Sequence, residues 1–339
     1  MNGKARNLTL HLGSALGAVA AICTVPLLAS AVPGKHWSAV LLPAAAAPVA
    51  FLIAFVWRIS RWLRTPVPFR VPLTAGQQHG LASLAHARTG NPRSAFDVML
   101  RVLVDVFLFR PLLRATPTAP LASPGLGHGA YRWLWLFAVA FHASLAVVIL
   151  RHLRLFLEPV PRFIAVLERW DVATPMPLPA LHLTSLLLPG ALLMLLARRL
   201  LLPRVRYISL ASDYFPLLLL MAIALTGLLM RHVTRTDVTA VKALTTGLAA
   251  GMLVLPARPD LLLVVHLWLV GALLVYFPLS KLMHLPGAVM SPTLTMANTN
   301  RTRRYVNVLN PEVATLHYAD YEATFRERML EAGLPVEGE

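Results

Sequence analysis

The sequence predicts an all-α fold, a polytopic membrane helix bundle, and its composition and its apolar runs carry that prediction. Of the 339 residues, 57% are hydrophobic and 14% are charged, whereas soluble domains are about one quarter charged. The mean hydropathy is +0.64. A helix needs about twenty apolar residues to cross the hydrocarbon core of a bilayer. Six runs of the sequence reach that length, so we expect about six transmembrane helices.

The six apolar runs cover residues 8–32, 38–57, 133–157, 180–202, 212–230 and 260–284. A weaker run at 239–256 is short, contains Lys242 and is rich in Gly and Thr. We interpret it as an interfacial or re-entrant segment. This choice matters, because a seventh crossing would reverse the direction of the last helix relative to the third.

The first run has two interpretations. Lys4 and Arg6 precede it, and the segment 28–31 (LASA) resembles the cleavage site of a secretory signal. The alternative is a retained helix, which makes residues 1–37 an N-terminal transmembrane segment. We favour the retained helix.

The charge distribution argues for a membrane rather than a nucleic acid. The net charge is +16, with 31 Lys and Arg residues against 15 Asp and Glu residues. The arginines lie at the ends of the apolar runs, where they orient helices, and not on one phosphate-binding face. The single cysteine, Cys23, excludes a disulfide framework and a cysteine-ligated iron–sulfur cluster within this chain.

The positive-inside rule gives the orientation. The loop 58–132 carries ten arginines, and four more lie between residues 198 and 206. Both segments are cytoplasmic if six helices are present and the N-terminus is inside, which also places the C-terminus inside. The opposite loops, 151–169 and 231–258, carry four basic residues each, so the bias is moderate.

Two segments are expected outside the bilayer. Residues 94–113 are amphipathic, with Ser94 and Asp97 in a capping-box arrangement and Pro111 ending the run. They are expected along the inner interface or under a partner. The tail 285–339 has Asn-Pro and Pro-Gly turn signals and no core of its own, so we predict a mostly extended cytoplasmic tail that docks on another protein.

Four of the twelve histidines lie within predicted membrane helices: His142 and His152 on the third, and His266 and His284 on the sixth. Ionisable residues inside the bilayer are expensive and indicate function. Neutral imidazole binds haem iron, and two imidazoles leave no open site, which suits electron transfer. The alternative is that all four are satisfied polar residues between helices. The other eight have ordinary surface or helix-end explanations: His11, His36, His79, His86, His128, His182, His232 and His317.

Helix direction predicts how the four histidines pair. With three connections between them, the third and sixth helices are antiparallel, so His142 pairs with His284 on the inner side and His152 with His266 on the outer side. The separations along ideal helices are about 15 Å for ten residues and about 27 Å for eighteen. Eighteen residues return to the same helix face, whereas ten leave the side chains about 80° apart. The unequal spacing requires oblique haems or tilted helices.

Histidines ten residues apart on one helix and eighteen apart on the last helix resemble the dihaem cytochrome b of respiratory nitrate reductase, the gamma-subunit or NarI family. The resemblance covers residues 38–284, including the cytoplasmic loop 58–132. That family has five spans, one fewer than predicted here. The sequence after the last span resembles the M subunit of the sulfite-reductase-associated Dsr MKJOP complex (DsrM). The matching segments are SKLMHLPG at 280–287, Arg303-Arg304, Asn310-Pro311, Tyr321-Glu322 and EAGLP at 331–335.

The resemblance implies a subunit of a respiratory complex in the cytoplasmic (inner) membrane, with two haems b. It implies electron exchange between menaquinol (or menaquinone) and a cytoplasmic iron–sulfur subunit similar to heterodisulfide reductase. It further implies a link to dissimilatory sulfur metabolism, and additional membrane and periplasmic cytochrome c and iron–sulfur subunits. We expect menaquinol to be oxidised at the outer side and electrons to pass from the outer to the inner haem.

The polar groups expected at a quinone site lie at the outer ends of spans three to five: Arg162, Arg169, Asp171 and His182. Of these we select Arg169 and His182, since a guanidinium or imidazole could anchor a quinone carbonyl or accept a quinol proton. Contact with lipid headgroups is the alternative. Basic residues near the haem edges could pair with propionates or extend to headgroups: Arg132, Arg151, Arg154 and Lys281.

A membrane transporter or scaffold, with the histidines in a proton or metal pathway, is the other functional hypothesis. It predicts polar residues near the midplane of several helices. The middles of spans two, four and five are instead almost wholly Ala, Leu, Val and Met.

Overall fold

The computed structural model describes residues 2–32, 37–64, 77, 83–114, 128–174, 180–252, 254, 259–297 and 315–337. Over these residues the chain forms fourteen α-helices: Asn2–Ser30 (α1), Trp37–Leu63 (α2), Ala95–Val102 (α3), Arg110–Arg114 (α4), His128–His152 (α5), Arg162–Asp171 (α6), Leu183–Leu201 (α7), Pro203–Ile208 (α8), Ala211–Leu229 (α9), Val238–Ala249 (α10), Leu261–Tyr276 (α11), His284–Met290 (α12), Pro292–Thr295 (α13) and Tyr318–Glu331 (α14). Two short strands between α6 and α7 pair with each other antiparallel: Val172–Thr174 (β1) and Leu181–His182 (β2).

Within the described part of the chain, six helices are long and apolar enough to cross a membrane, which confirms the predicted number. They are Leu8–Ser30, Trp37–Leu63, Arg132–Leu155, Leu183–Leu201, Ala211–Thr234 and Leu261–Leu279. The weaker run at 239–256 forms the 12-residue helix α10, which is too short to span about 30 Å of hydrocarbon.

The spanning helices pack in the order α5, α7, α9, α11 and α2, with α1 against both α9 and α11. Phe141 of α5, Leu192 of α7 and Leu220 of α9 form one buried cluster. Leu219 of α9 and Leu269 of α11 belong to a second cluster, which α1 covers. The two helices that carry the predicted haem ligands, α5 and α11, are therefore joined chiefly through α7 and α9.

Small residues bring α2 and α11 into close contact. The position of a Cβ on Gly271 would lie 3.3 Å from the Cα of Ala44 and 3.4 Å from the Cβ of Ala47. The indole of Trp268 donates a 2.9 Å hydrogen bond to the carbonyl of Val40. Membrane helices gain little from burying apolar surface, because the lipid is itself apolar, so close backbone packing of this kind stabilises their association through van der Waals contact.

The sixth span ends earlier than predicted. The run was expected to continue to residue 284, but α11 gives way to a 3₁₀ turn at Phe277–Leu279, and Ser280 is extended. Pro278 explains the break, because proline lacks the amide hydrogen of a helical bond and clashes with the preceding turn. His284 consequently starts α12 and does not continue the face of α11, so the predicted continuous helix from His266 to His284, which underlies the separation of about 27 Å, is wrong.

The loop before α5 follows the predicted cap but not the predicted end. The Ser94 hydroxyl accepts from the Asp97 amide at 3.2 Å, and the Ser94 amide donates to the Asp97 carboxylate at 3.4 Å, as a capping box requires. Helix α3 then passes into a π-helical turn over Leu103–Phe107, and Phe109 adopts a φ of 50°. Pro111 does not end this run. It lies in the first turn of α4, where proline needs no amide hydrogen.

The described parts of the tail are helical rather than extended. Helices α12 and α13 follow the last span directly, and α13 packs on α3. Helix α14 covers Tyr318–Glu331, where Arg326 pairs with Glu322. The segments Arg303-Arg304 and Asn310-Pro311, as well as His36 and His79, lie outside the described residues.

Candidate functional site

His142, near the middle of α5, and His284, at the start of α12, lie side by side. They are nearer than His152 and His266 to the end of the bundle where α2 ends and α5 begins, here called the α3 end. Their ring centroids are 5.9 Å apart and their planes stand at 89°. Two imidazoles that bind one metal ion from opposite sides, through bonds of about 2 Å, have centroids roughly 6 Å apart. The break at Ser280 contributes to this approach, because it starts a new helix at His284.

Three of the four histidines direct Nδ1 to a backbone carbonyl of the preceding turn. The distances are 2.8 Å from His142 to Ala138, 2.7 Å from His152 to Val148 and 3.1 Å from His284 to Lys281. A carbonyl oxygen only accepts, so Nδ1 carries the proton and donates it. The lone pair of each ring is then on Nε2, the arrangement of a metal-binding histidine with its second nitrogen fixed.

His266 reaches the same state through a side chain on another helix. Its Nδ1 is 2.8 Å from the hydroxyl of Thr226 on α9. That hydroxyl lies 2.8 Å from the carbonyl of Ala222, to which it donates, and therefore accepts from His266. His266 is also within electrostatic reach of His152. The structure thus places the four imidazoles in the two predicted neighbourhoods, and haem ligation by them stays a prediction.

Phe109 is a contact that the sequence did not reveal. Its ring centroid is 4.8 Å from that of His142, and Phe141 approaches the same imidazole at 4.7 Å. The Trp135 indole donates to the carbonyl of Leu108 at 2.7 Å, which holds this loop against α5. A positive φ is costly for a phenylalanine, so this packing of Phe109 depends on the surrounding contacts. No local sequence pattern predicts this contact, because it depends on how the loop packs against α5.

A buried ion pair ties α5, α6 and α7 together at the opposite end of the bundle, here called the α6 end. Asp171 accepts hydrogen bonds from Arg151 at 2.7 Å and from the amide and hydroxyl of Thr184 at 2.8 and 2.6 Å. The side chains of Arg151 and Asp171 are 11% and 4% exposed. The sequence predicts Asp171 at the outer end of the bundle, but it does not predict that Asp171 pairs with Arg151.

His182 is buried beside this ion pair. Within the described part of the chain, no partner binds its Nδ1. Burial, reinforced by the positive charges of Arg151 and Arg231, lowers the pKa of His182 from its ordinary 6.5 to about 4. Its ring is therefore neutral at pH 7 and can accept a hydrogen bond. Arg169, the other residue predicted for a quinone site, is exposed on α6 two residues before Asp171.

Of the basic residues considered for haem propionates, three have carboxylate partners. Arg151 pairs with Asp171, Arg154 with Glu168 at 2.7 Å, and Lys281 with Asp213 at 2.9 Å. Arg132 instead lines an open apolar cavity of about 460 Å³ beside Trp133 and Trp135.

The fold and these contacts define a multi-pass membrane protein whose histidines meet within the bundle. Comparison with known families is consistent with that class. A family model described as nitrate reductase gamma subunit matches residues 129–303. The chain belongs to this family.

Two relatives are described as Hdr-like menaquinol oxidoreductase cytochrome b-like subunits. The protein of Archaeoglobus fulgidus is 38% identical over 268 residues, which cover 77% of this chain and 80% of the relative. That of Archaeoglobus profundus is 36% identical over 271 residues, with 77% and 79% covered. No solved structure matches the chain.

We predict that Asp171→Ala markedly destabilises the protein. The change leaves the Arg151 guanidinium as a buried charge without its carboxylate, which costs about 3–5 kcal/mol. Thermal unfolding of the detergent-purified protein measures the loss. Glu168→Ala is the matched control, because it breaks the more exposed pair that joins α6 to Arg154, in the 3₁₀ turn directly after α5, at a cost of about 0–1 kcal/mol. Equal effects of the two changes would contradict the assignment.

Proposed function

We propose that this chain is the membrane cytochrome b subunit of a menaquinol oxidoreductase and binds two haems b. His142 with His284 would hold one haem, and His152 with His266 the other. The proposal rests on one observation above all: each of the four imidazoles has its Nδ1 occupied by an acceptor, which leaves Nε2 for iron. The family and the names of the two relatives support the same function.

When bound, such haems accept and pass on single electrons. The residues of the chain supply the geometry for this. Two imidazoles per iron leave no coordination position for oxygen, and the hydrogen bonds at Nδ1 fix the orientation of each ring. The α5 histidines are ten residues, or about 15 Å of helix, apart. The two sites would therefore lie at different depths and form a path across the bilayer.

We place the quinol site at the α6 end, with His182 and Arg169 as its residues. His182 is neutral at pH 7, so it can accept a hydrogen bond from a quinol hydroxyl, and it would take the proton once electron loss to the haem has made that hydroxyl strongly acidic. Arg169, exposed on the same side, could anchor the quinol oxygen that does not react with His182. The neighbouring Arg151–Asp171 pair keeps α5, α6 and α7 in register around this position.

We further propose that the α3 end faces the cytoplasm, together with both termini. Electrons would leave from the His142–His284 pair to a cytoplasmic iron–sulfur subunit of the heterodisulfide-reductase type. The segment formed by α3 and α13 lies at this end and could receive such a partner, with α14 in the following tail. Resemblance of the tail to DsrM supports a role in dissimilatory sulfur metabolism, with the further membrane and periplasmic subunits such a complex contains.

Haem content tests the assignment of the ligands. The purified chain should show a b-type spectrum with two haems. His152→Ala and His266→Ala should each remove the same single haem, while His142→Ala and His284→Ala should each remove the other, because each pair shares one iron. His11→Ala, a histidine in the first span, should keep both. A purified chain without haem bands in its absorption spectrum would contradict the proposal and favour the transporter hypothesis.

Quinol-driven reduction of the haems tests the second site. In His182→Leu we expect both haems to remain, but reduction by a menaquinol analogue to slow by roughly 100-fold, the usual contribution of a positioned base. His86→Leu, in the loop before α3, is the control, and Arg169→Gln should raise the KM for quinol. A wild-type rate in His182→Leu at full haem content would exclude His182 from the site.

A further inference from the structure

The four imidazoles differ in what accepts the Nδ1 proton. For His142, His152 and His284 the acceptor is a backbone carbonyl one turn earlier in the chain. For His266 it is the hydroxyl of Thr226, forty residues away in sequence and on a different helix. A backbone carbonyl is available at any residue type, whereas the hydroxyl acceptor is present only because residue 226 is threonine.

The position of Thr226 makes its hydroxyl an acceptor rather than a competitor. The hydroxyl lies 2.8 Å from the carbonyl of Ala222 and 3.0 Å from that of Ile223, so its single hydrogen is committed to the backbone of α9. Its lone pairs then face His266. Such a chain of hydrogen bonds polarises each member and strengthens the bond from the imidazole.

The ring of His266 also packs beside Gly227 of α9. A Cβ at this position would stand 3.6 Å from Cε1 of His266, an ordinary contact distance, so the imidazole lies at a normal side-chain distance from α9 next to Thr226. The same helix continues into the π-helical turn Met230–Thr234, where Arg231 donates to the carbonyl of Ala180, two residues before His182. The segment formed by α9 and this turn therefore contacts both His266 and the chain beside His182.

We propose that Thr226 is a positioning residue that fixes the tautomer and orientation of His266 and sets the reduction potential of the haem at that site. The inference rests on the proposed function, since it requires iron at Nε2. A hydrogen bond from Nδ1 makes the imidazole a stronger electron donor, which favours the oxidised iron and lowers its potential. Because this acceptor is a side chain on α9, the outer site can be tuned independently of the inner one.

Thr226→Val tests this role, because valine keeps the shape of threonine and removes the acceptor. Potentiometric titration of the purified protein, followed by the b-type absorption bands, gives the midpoint potential of each haem. We expect the potential of the His152–His266 haem to rise and that of the other to stay unchanged. Thr226→Ser, which keeps the hydroxyl, should stay close to the wild type.

Ser144→Ala is the matched control. The Ser144 hydroxyl is buried and bonds to the carbonyls of Ala140 and Phe141 in its own helix, so its removal should shift neither potential. Thr226→Ala provides a second variant if Thr226→Val accumulates poorly. Unchanged potentials in the Thr226 variants, or equal shifts of both haems, would overturn the inference while the proposed function stands. The lack of haem in the unmutated chain would instead contradict the proposed function itself.

Discussion

An imidazole inside a hydrocarbon layer needs a partner for each of its two ring nitrogens, and much of the bundle depends on this constraint. One nitrogen donates a proton and the other presents a lone pair, and water is not present to satisfy either. In His142, His152 and His266, and in His284 five residues beyond the last span, the proton is already bonded, to a carbonyl one turn away or to Thr226. The lone pair on Nε2 of each ring stays available, and the haem iron that we propose between two rings would bind it.

The packing of the helices follows from this arrangement. Helices α5 and α11 do not share an extensive interface, and α7 and α9 hold them in place by apolar contacts. The rings of His142 and His284 can therefore face each other without the helices closing on them. At the far end, the Arg151–Asp171 pair fixes α5 against α6 and α7 directly beside His152. Helix α5 is held by different forces along its length, a ring contact of His142 near its middle and a buried ion pair of Arg151 in its last turn.

Much of this could be predicted from the sequence, because helix length and direction obey local rules. Twenty apolar residues make a spanning helix wherever they occur, and the number of crossings decides which histidines share an end. The Ser94–Asp97 capping box is likewise a local pattern. By contrast, the contact of Phe109 with His142, the Thr226 acceptor and the pairing of Arg151 with Asp171 depend on residues distant in sequence.

The unequal spacing of the histidines could be read from the sequence, but the way in which the structure accommodates it could not. The two histidines of the third helix are ten residues apart and those of the sixth are eighteen apart, which does not fit two straight helices. The apolar run nevertheless predicts a continuous sixth helix. Pro278 was visible in the sequence, yet only the structure shows that Ser280 becomes extended and that a new helix starts at His284. The break between α11 and α12 removes the need for two straight helices.

Electron paramagnetic resonance of the oxidised, unmutated protein at low temperature tests the central claim most directly. Iron held by two imidazoles is low-spin, so the account predicts two low-spin signals of equal amount and no high-spin signal. One of them should be of the strongly anisotropic type that perpendicular imidazole planes produce, since His142 and His284 stand at 89°. A high-spin signal from an iron with an open position, or a single haem per chain, would contradict the account.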